Sequence, residues 1–198
     1  MPRVSKAPRR GGNHHVPRPH PVLRGRRIVL RAVGEADISQ RYLGWLADPE
    51  VNQYSQRRFA KRIDRKAAIA YLRSLKRDEV VLAIVDNEVG HVGNIKYGPI
   101  DWINRRADIS ILVGERSVWG KGIGTEAVRL VTRFLFGQLD LNRVEAGSSN
   151  PAFLRIVEKL GWTKEGSLRD RIWTPEGFRD HTLVSLLRRD VAARQDSA

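Results

Sequence analysis

Residues 109–128 read ISILVGERSVWGKGIGTEAV and join a β-branched strand to a turn with three glycines and the start of a helix. We predict the strand over 107–113 and an apolar-faced helix over 125–136. Glycines let the backbone approach a ligand closely, successive N–H groups can point into one concavity, and the helix N-terminus adds partial positive charge. The turn therefore suits a pyrophosphate group, although a tight connection that needs glycine only for its geometry would look the same.

The glycine turn departs from two common phosphate-binding patterns. No Gly-Lys-Ser/Thr ends it, so it is not a P-loop, and its glycines do not follow the GxGxxG spacing of dinucleotide-binding folds. Lys121 adds a mobile cation to the turn. The pattern indicates phosphate binding of a different kind.

The rest of the chain predicts a mixed α/β sheet, with hairpins early and strand–helix–strand units late. Its strands are predicted over 27–31, 80–85, 88–97, 143–148, 162–169 and 181–187. Its helices are predicted over 35–47, 65–76 and 150–160.

The net charge of +14 arises from 36 Lys and Arg against 22 Asp and Glu, and it is unevenly distributed. Residues 1–27 hold eight of the basic residues, five of the nine prolines and no acidic residue, which leaves +6 for residues 28–198. Such a segment has too little apolar surface to offset its ordering entropy, so we expect residues 1–24 to form a flexible basic tail. The tail either contacts RNA, the ribosome or another polyanion, or serves only solubility.

The composition also limits the class of protein. We expect one domain over 25–190 and a short flexible C-terminus over 191–198. The absence of cysteine excludes disulfides, thiolate metal sites and cysteine nucleophiles. No apolar stretch reaches the roughly 18 residues of a membrane-spanning helix, and the tail lacks the apolar region of a signal peptide. We therefore expect a cytoplasmic protein with no membrane partner.

The stretch around the glycine turn resembles the acetyl-CoA signature of the GNAT N-acetyltransferases, in their RimJ/RimL-like branch. Three other motifs of that branch occur in the same order and spacing. They are the opening strand at 25–31 (GRRIVLR), a W-x-x-D-P-E-V segment at 45–51 and the later motif NPAFLRIVEKLGW at 150–162. The resemblance covers residues 25–188.

The resemblance implies a GNAT fold of the α/β (α+β) class, with a central, mostly antiparallel mixed sheet flanked by helices. The sheet would splay between the strands at 107–113 and 143–148 to hold acetyl-CoA as a co-substrate, with no metal. A backbone amide at a bulge near Leu112 or Val113 would polarise the thioester carbonyl, and the turn amides would hold the pyrophosphate. The residues implied to bind acetyl-CoA are Leu112, Val113, Trp119, Gly120, Lys121, Gly122, Ile123, Gly124, Thr125, Asn150 and Arg155.

Acetyl transfer to an amine needs a neutral nucleophile, a polarised carbonyl and a proton for the departing thiolate. Here the chain departs from the family, because Phe153, Val157 and Ile172 stand where relatives carry proton-transferring side chains. A family member can also work mainly by proximity, with water carrying the protons.

Three polar residues remain as catalytic candidates. Asp108 matches an acidic position of the branch and would accept an amine proton directly or through water, or else only pair with a neighbouring arginine. Ser148 and Ser149 would donate a proton to sulfur, or else only bond within their loop. A lone histidine on a strand is usually a surface residue, and we expect this of His181.

Aromatic and basic side chains are the candidates for the acceptor pocket, because aromatic rings cover amines or stack on sugars. An arginine pair favours an anionic acceptor such as a nucleotide-linked amino sugar and disfavours polyamines. The candidates are Tyr54, Arg57, Arg58, Tyr97 and Trp173.

The sequence leaves three functions open. The first is an acetyl-CoA-dependent N-acetyltransferase, which moves an acetyl group to a small-molecule amine or a protein N-terminus by direct attack on the thioester. The second is a ribosomal-protein N-terminal acetyltransferase, favoured by the basic tail and disfavoured by the missing side chains. The third is a non-catalytic CoA-binding protein tethered to RNA by its tail. Either a monomer or a homodimer is compatible with the sequence.

Overall fold

The β-branched runs of the sequence form an eight-stranded sheet in the computed structural model, which describes residues 21–55, 63–174 and 176–195. The strands lie in the spatial order β1-β2-β3-β4-β5-β6-β8-β7. Their bounds are β1 Leu23–Arg24, β2 Ile28–Ala32, β3 Val80–Asp86, β4 Gly90–Asp101, β5 Arg106–Val113, β6 Arg143–Ser148, β7 Thr163–Thr174 and β8 Gly177–Leu187.

Four helices of the described residues begin after a capping residue, which is a polar residue for three of them and Gly122 for the fourth. Ser39, Asp64 and Asn150 each accept a hydrogen bond from a backbone N–H of the helix that follows them. The helices are α1 Gln40–Ala47, α2 Arg65–Ser74, α3 Ile123–Gly137, α4 Pro151–Lys159 and α5 Arg188–Gln195.

Strand pairing is antiparallel throughout the described sheet except between β5 and β6. Those two run parallel, and their register contains three pairs, from Arg106 opposite Arg143 to Asp108 opposite Glu145. The predicted mixed, mostly antiparallel sheet with flanking helices is confirmed.

The main core lies between one face of the sheet and α3. Every second residue of the central strands points to this face, as the burial of Ala107, Ile109, Val144 and Ala146 shows. Helix α3 packs its apolar stripe against them, with Val128, Val131 and Leu135 fully buried. The opposite face of β5 and β6, which carries Asp108, Glu145 and Gly147, is called the open face below.

A smaller core forms around α1 and α2. It contains Ile38, Tyr42, Trp45 and Ala68. The Trp45 indole lies against Gly114, since a Cβ there would overlap the ring. This contact fixes α1 beside the end of β5, where the glycine turn begins.

The predicted elements are present, but several bounds differ. The helix predicted over 35–47 is broken, because Glu35–Asp37 forms a 3₁₀ turn before Ser39 starts α1. The second strand of the early hairpin continues to Asp101, and the last two strands form a longer hairpin than predicted. Helix α5 extends to Gln195, into the segment expected to be a flexible end.

A buried carboxylate joins β2 to the hairpin of β3 and β4. Asp86, whose side chain is fully buried, accepts a 2.5 Å hydrogen bond from Arg27 Nε and bonds of 3.0 Å from the N–H groups of Glu88 and Val89. Burial opposes ionisation, but these hydrogen bonds and the Arg27 charge keep the pKa of Asp86 below its ordinary value.

We expect Asp86→Asn to lower the free energy of unfolding in urea by about 2 kcal/mol at neutral pH, because a charge-assisted hydrogen bond is lost. A lowered pKa means that this contribution is present above the ordinary Asp value of 3.8 and is lost as pH falls through the folded-state pKa. Glu88→Ala is the control, since Glu88 lies 3.8 Å from the same arginine and is 81% exposed. Equal effects of both substitutions would contradict the assignment.

Candidate active site

The gap in the sheet lies where β5 and β6 part after Asp108 and Glu145. Beyond that pair β5 stays with β4, through the register from Tyr97 opposite Ile109 to Gly93 opposite Val113. Strand β6 stays with β8 instead, and its last residue, Ser148, lies opposite Thr182. Alternate backbone N–H and C=O groups of β5 beyond Asp108 therefore face a gap instead of a neighbouring strand. The gap opens toward the glycine turn.

The turn adopts the backbone conformation that its glycines allow. Gly120 and Gly122 have φ angles of 75° and 84°, in the left-handed region where a Cβ is strained. Gly122 is the N-cap of α3 and its carbonyl accepts from the N–H of Glu126. The N–H groups of residues 123–125 precede this first helical bond and have no partner inside the helix.

Two of the turn amides predicted to hold pyrophosphate are already used. The N–H of Trp119 donates to the carbonyl of Arg116 at 3.1 Å, and the N–H of Lys121 donates to Val118 at 3.3 Å. The prediction that all amides from Trp119 to Thr125 serve the ligand is therefore wrong for these two. Both side chains are exposed beside the turn, so Lys121 stays a candidate as a cation.

The end of β5 is more regular than predicted. We expected a bulge near Leu112 or Val113, but the register against β4 is continuous there. The irregularity lies on β4, between Tyr97 and Ile100. The carbonyl of Val113 accepts a 2.8 Å hydrogen bond from Trp119 Nε1, which ties the glycine turn to the strand.

The loop before α4 uses its polar side chains for capping. Asn150 Oδ1 accepts from the N–H of Ala152 at 2.9 Å, and Ser148 Oγ accepts from the N–H of Asn150 at 3.0 Å. These bonds match the alternative of bonding within the loop for Ser148. Ser149 is half-buried in the same loop, and Arg155 is exposed on α4.

Asp108 sits at the point where the gap begins, on the open face. The alternative of an ion pair with Arg105 or Arg106 is not formed, because Arg105 pairs with Asp140 and Arg106 pairs with Glu145 and Asp101. Across the described residues Asp108 has no salt bridge. Partial desolvation and the Glu145 charge raise the pKa of Asp108 to about 6, although water reaches its exposed side chain.

Glu145 is the neighbour that sequence reasoning missed. Its carboxylate accepts from Arg106 at 2.5 Å and from Arg143 at 2.6 Å, and Arg143 also binds Glu165. Glu145 is therefore paired with two arginines, and it is also the acidic neighbour whose charge acts on Asp108. A cavity of about 270 Å³ lined by both carboxylates opens at this point. The alternating RVE pattern of β6 placed Glu145 on a strand face, but nothing local indicated the register that sets it opposite Asp108.

The acceptor candidates fall into three groups. Tyr54 is half-buried, and the guanidinium of Arg179 on β8 lies 5.9 Å from its ring centre, which brings the segment after α1 to the β7–β8 hairpin. Trp173 is 50% exposed near the end of that hairpin. Arg57 and Arg58 lie outside the described residues.

Tyr97 does not line a pocket. Its side chain is fully buried, and its ring centre lies 5.8 Å from that of Phe134 on α3. Burial raises the pKa of its phenol above the ordinary value. The prediction of an acceptor contact for Tyr97 is wrong, because this residue faces the core side of β4.

The site fits a phosphate-bearing thioester at two places. The glycine turn presents unpaired helix N–H groups at one end of the gap. The edge of β5 beyond Asp108 presents unpaired backbone groups to an extended chain along the gap. Asp108 then stands at the end remote from the turn.

Comparison with known proteins shows the family and the fold of the chain. Residues 27–163 match the family model described as an acetyltransferase (GNAT) domain. The chain is 31% identical over 177 residues to N-acetyltransferase p20 of Bacillus licheniformis, which covers 84% of this chain and 96% of that protein. Its fold is similar to that of a spermidine N-acetyltransferase from Vibrio cholerae in complex with CoA and spermine, at 17% identity, with a TM-score of 0.72 and coverage of 83% and 97%.

A further structural relative is the ribosomal-protein-S5-alanine acetyltransferase from Vibrio fischeri. It is 17% identical, with a TM-score of 0.69 over 84% of this chain and 96% of that one. At this identity both solved structures show the fold alone. Among the helices of the described residues, none has the length and apolar character needed to cross a membrane.

Proposed function

The chain belongs to the GNAT acetyltransferases, and we propose that it transfers the acetyl group of acetyl-CoA to a primary amine by direct attack, with Asp108 as a proton acceptor. The observation that carries the proposal is the position of Asp108, which has no salt bridge to any other described residue and lies on the open face where β5 and β6 separate. The amine belongs to a small molecule such as an amino sugar, or to a protein N-terminus.

Backbone groups of this chain would supply more of the contacts to acetyl-CoA than its side chains would. The N–H groups of residues 123–125 and the N-terminus of α3 suit the pyrophosphate. The edge of β5 up to Leu112 and Val113 suits the amide-containing arm. Lys121 is an exposed cation beside the start of α3, and Arg155 is an exposed cation in the middle of α4. Acetyl-CoA supplies an acetyl group activated as a thioester.

Asp108 is suited to accept the proton that the nitrogen of the acceptor amine must lose. A primary amine arrives mostly as an ammonium ion and reacts only as the neutral amine. With a pKa of about 6, the Asp108 carboxylate is largely ionised at neutral pH but is a stronger base than an ordinary aspartate.

The alternative of a ribosomal-protein N-terminal acetyltransferase differs from this proposal only in the acceptor, because the same chemistry acetylates a protein N-terminus. The fold shared with a ribosomal-protein acetyltransferase supports it only at the level of architecture. The Tyr54–Arg179 contact supports a small acceptor with an anionic or aromatic part, since it places a guanidinium and a ring together at the β7–β8 hairpin.

A thiol-release assay with the full chain tests the proposal. Nucleotide amino sugars, peptides with free N-termini, polyamines and amino-acid analogues are each offered with acetyl-CoA, and the free thiol of CoA is measured over time. We expect at least one class to raise the rate above the hydrolysis background. CoA that neither binds by calorimetry nor shifts the melting temperature would contradict the enzyme. CoA that binds without amine-dependent release would favour the non-catalytic alternative.

A further inference from the structure

We propose that His181 on β8 is a second proton-transfer residue of this site, acting from the side of the gap opposite Asp108. The inference rests on the proposed function. The imidazole lies over β6 at Gly147, because a Cβ added there would overlap the ring, with Nε2 nearest and Cδ2 at 2.9 Å. His181 was expected to be a surface residue of no special role, and its packing against β6 contradicts that expectation.

The imidazole occupies the same face as Asp108. Gly147 follows Glu145 by two residues on β6, so the Cβ direction at Gly147 points to the open face. Glu145 is the register partner of Asp108, and paired residues of neighbouring strands point to one side. The ring therefore lies on the β6–β8 side of the gap, while Asp108 lies on the β5 side.

The imidazole also has an unused nitrogen. Nδ1 of His181 is buried and makes no hydrogen bond within the described residues. His91 on β4 shows the contrast, because its Nε2 lies 3.0 Å from both the Gly93 carbonyl and Asn94 Oδ1, and its ring stacks with Tyr42. His91 is a satisfied structural histidine. A buried nitrogen without a partner costs stability, so Nδ1 of His181 is suited to a group other than those of the described residues.

The charges around His181 favour the neutral imidazole. Burial and the positive charge of Arg171 on β7 lower its pKa below the ordinary value. Asp180, the adjacent acid on β8, is bound to Ser167 and to the N–H of Asp170. On β6 the nearest acid of the same face is Glu145, which forms salt bridges with Arg106 and Arg143. A neutral imidazole can accept a proton at physiological pH.

The neighbours of His181 belong to the acceptor side. Arg179, two residues earlier on the same face of β8, carries the contact to Tyr54. Leu168, the register partner of His181, is 43% exposed, and Leu183 is 37% exposed. Along β8, His181 thus lies between Arg179, which contacts Tyr54, and Leu183, which pairs with Gly147 of β6.

The acceptor nitrogen loses two protons during the reaction, and Asp108 and His181 can each accept one of them. An arriving ammonium loses one proton to become nucleophilic, and Asp108 takes it and passes it to water. The neutral amine nitrogen then bonds to the thioester carbonyl carbon, the carbon–sulfur bond breaks, and the nitrogen loses a second proton. His181 takes that proton and returns it to the thiolate sulfur, so the products are an amide and the thiol. Since a lowered pKa makes the imidazolium a better acid, the return to sulfur is favoured.

The test compares three variants of the full chain in the thiol-release assay with the best amine. His181→Gln keeps the bulk and removes the titration, and Gly147→Ala displaces the ring without removing it. Gly166→Ala is the matched control, because Gly166 pairs with Leu183 from the other side and a Cβ there meets nothing within 4 Å. Wild-type activity itself reports on the proposed function, whereas the ratios between variants and wild type report on His181.

We expect His181→Gln and Gly147→Ala to lower kcat about tenfold and to change the pH profile of kcat, which general acid–base catalysis governs. CoA affinity and melting temperature should stay near those of wild type, and Gly166→Ala should behave as wild type. Retention of kcat within about twofold and an unchanged profile in both variants would overturn the proposal. If either variant fails to fold, an NMR pH titration of wild-type His181 replaces it: a midpoint that matches a limb of the kcat profile supports the role, and a midpoint that matches none overturns it.

Discussion

Replacing Asp108 with asparagine is expected to lower kcat/KM by about 10²- to 10⁴-fold, the range by which positioned general bases accelerate proton transfer. Asparagine keeps the shape of the side chain but cannot accept the proton. In the wild-type chain kcat/KM should fall as pH drops below about 6, because Asp108 is protonated there. The variant should lose that limb. The measurement is the pH profile of thiol release.

The same substitution should leave the fold intact and make it more stable at neutral pH. The pKa of Asp108 is raised from 3.8 to about 6, so the folded state holds the proton more tightly than the unfolded chain does. Its contribution to stability is complete below about pH 3.8 and is lost as pH rises through about 6. Asp108→Asn removes this loss, so its melting temperature should exceed that of wild type above pH 6 and match it near pH 4. The gain is modest because the side chain is exposed.

Glu145→Gln is the companion variant for Asp108. The substitution removes the Glu145 charge, which raises the pKa of Asp108. It also releases Arg106 from its salt bridge with Glu145, and the positive charge of Arg106 lowers the same pKa, so both changes lower the pKa of Asp108. The acid limb of the profile should therefore shift to lower pH while the activity at neutral pH persists. An Asp108→Asn variant with wild-type kcat/KM and an unchanged acid limb would show that water, and not this carboxylate, carries the proton.

The second large effect is expected at the glycine turn. Gly120→Ala combined with Gly122→Ala should weaken CoA binding by about 30- to 900-fold, because each Cβ in the left-handed region costs about 1–2 kcal/mol. The free turn can relax to another conformation, but binding must restore the strained one. Calorimetry of CoA binding measures the loss directly.

The control for the turn uses two glycines without positive φ. An added Cβ would have no neighbouring atom within 4 Å at Gly44, Gly120, Gly122 or Gly137. The two double variants therefore do not differ in steric crowding, and they differ only in the backbone conformation of the substituted residues. Gly44→Ala combined with Gly137→Ala should therefore bind CoA as wild type does. Similar affinities for the two double variants would show that the turn does not hold the ligand in the conformation described.

Local features of the chain could be predicted from the sequence because their causes are local. The glycine turn, the strand before it and α3 after it follow from backbone sterics and from periodicity within about twenty residues. The caps of α2 and α4 at Asp64 and Asn150 are local as well. Four ordered motifs were enough to indicate the family, which the comparisons confirm.

The register between distant strands could not be predicted in this way. Whether Asp108 pairs with Arg106 or stands alone depends on Glu145, which is 37 positions later in the chain and draws Arg106 away. Tyr97 and His181 were misjudged for the same reason. An alternating strand shows which residues share a face, but the face that α3 covers is decided by the packing of the whole sheet.

The sequence by itself determined that this protein carries a glycine turn between a strand and a helix, since glycine adopts positive φ angles without strain. The tertiary structure alone decided which side chains stand beside the gap. The parallel pairing of β5 and β6 lasts three residues, and its end sets Asp108 opposite Glu145, which is paired with Arg106 and Arg143. The pairing of β6 with β8 lays His181 over a residue with no side chain. Both placements arise from the pairing of strands that are distant in the sequence. The entropy cost and the geometry of that pairing cannot be predicted from a local sequence pattern.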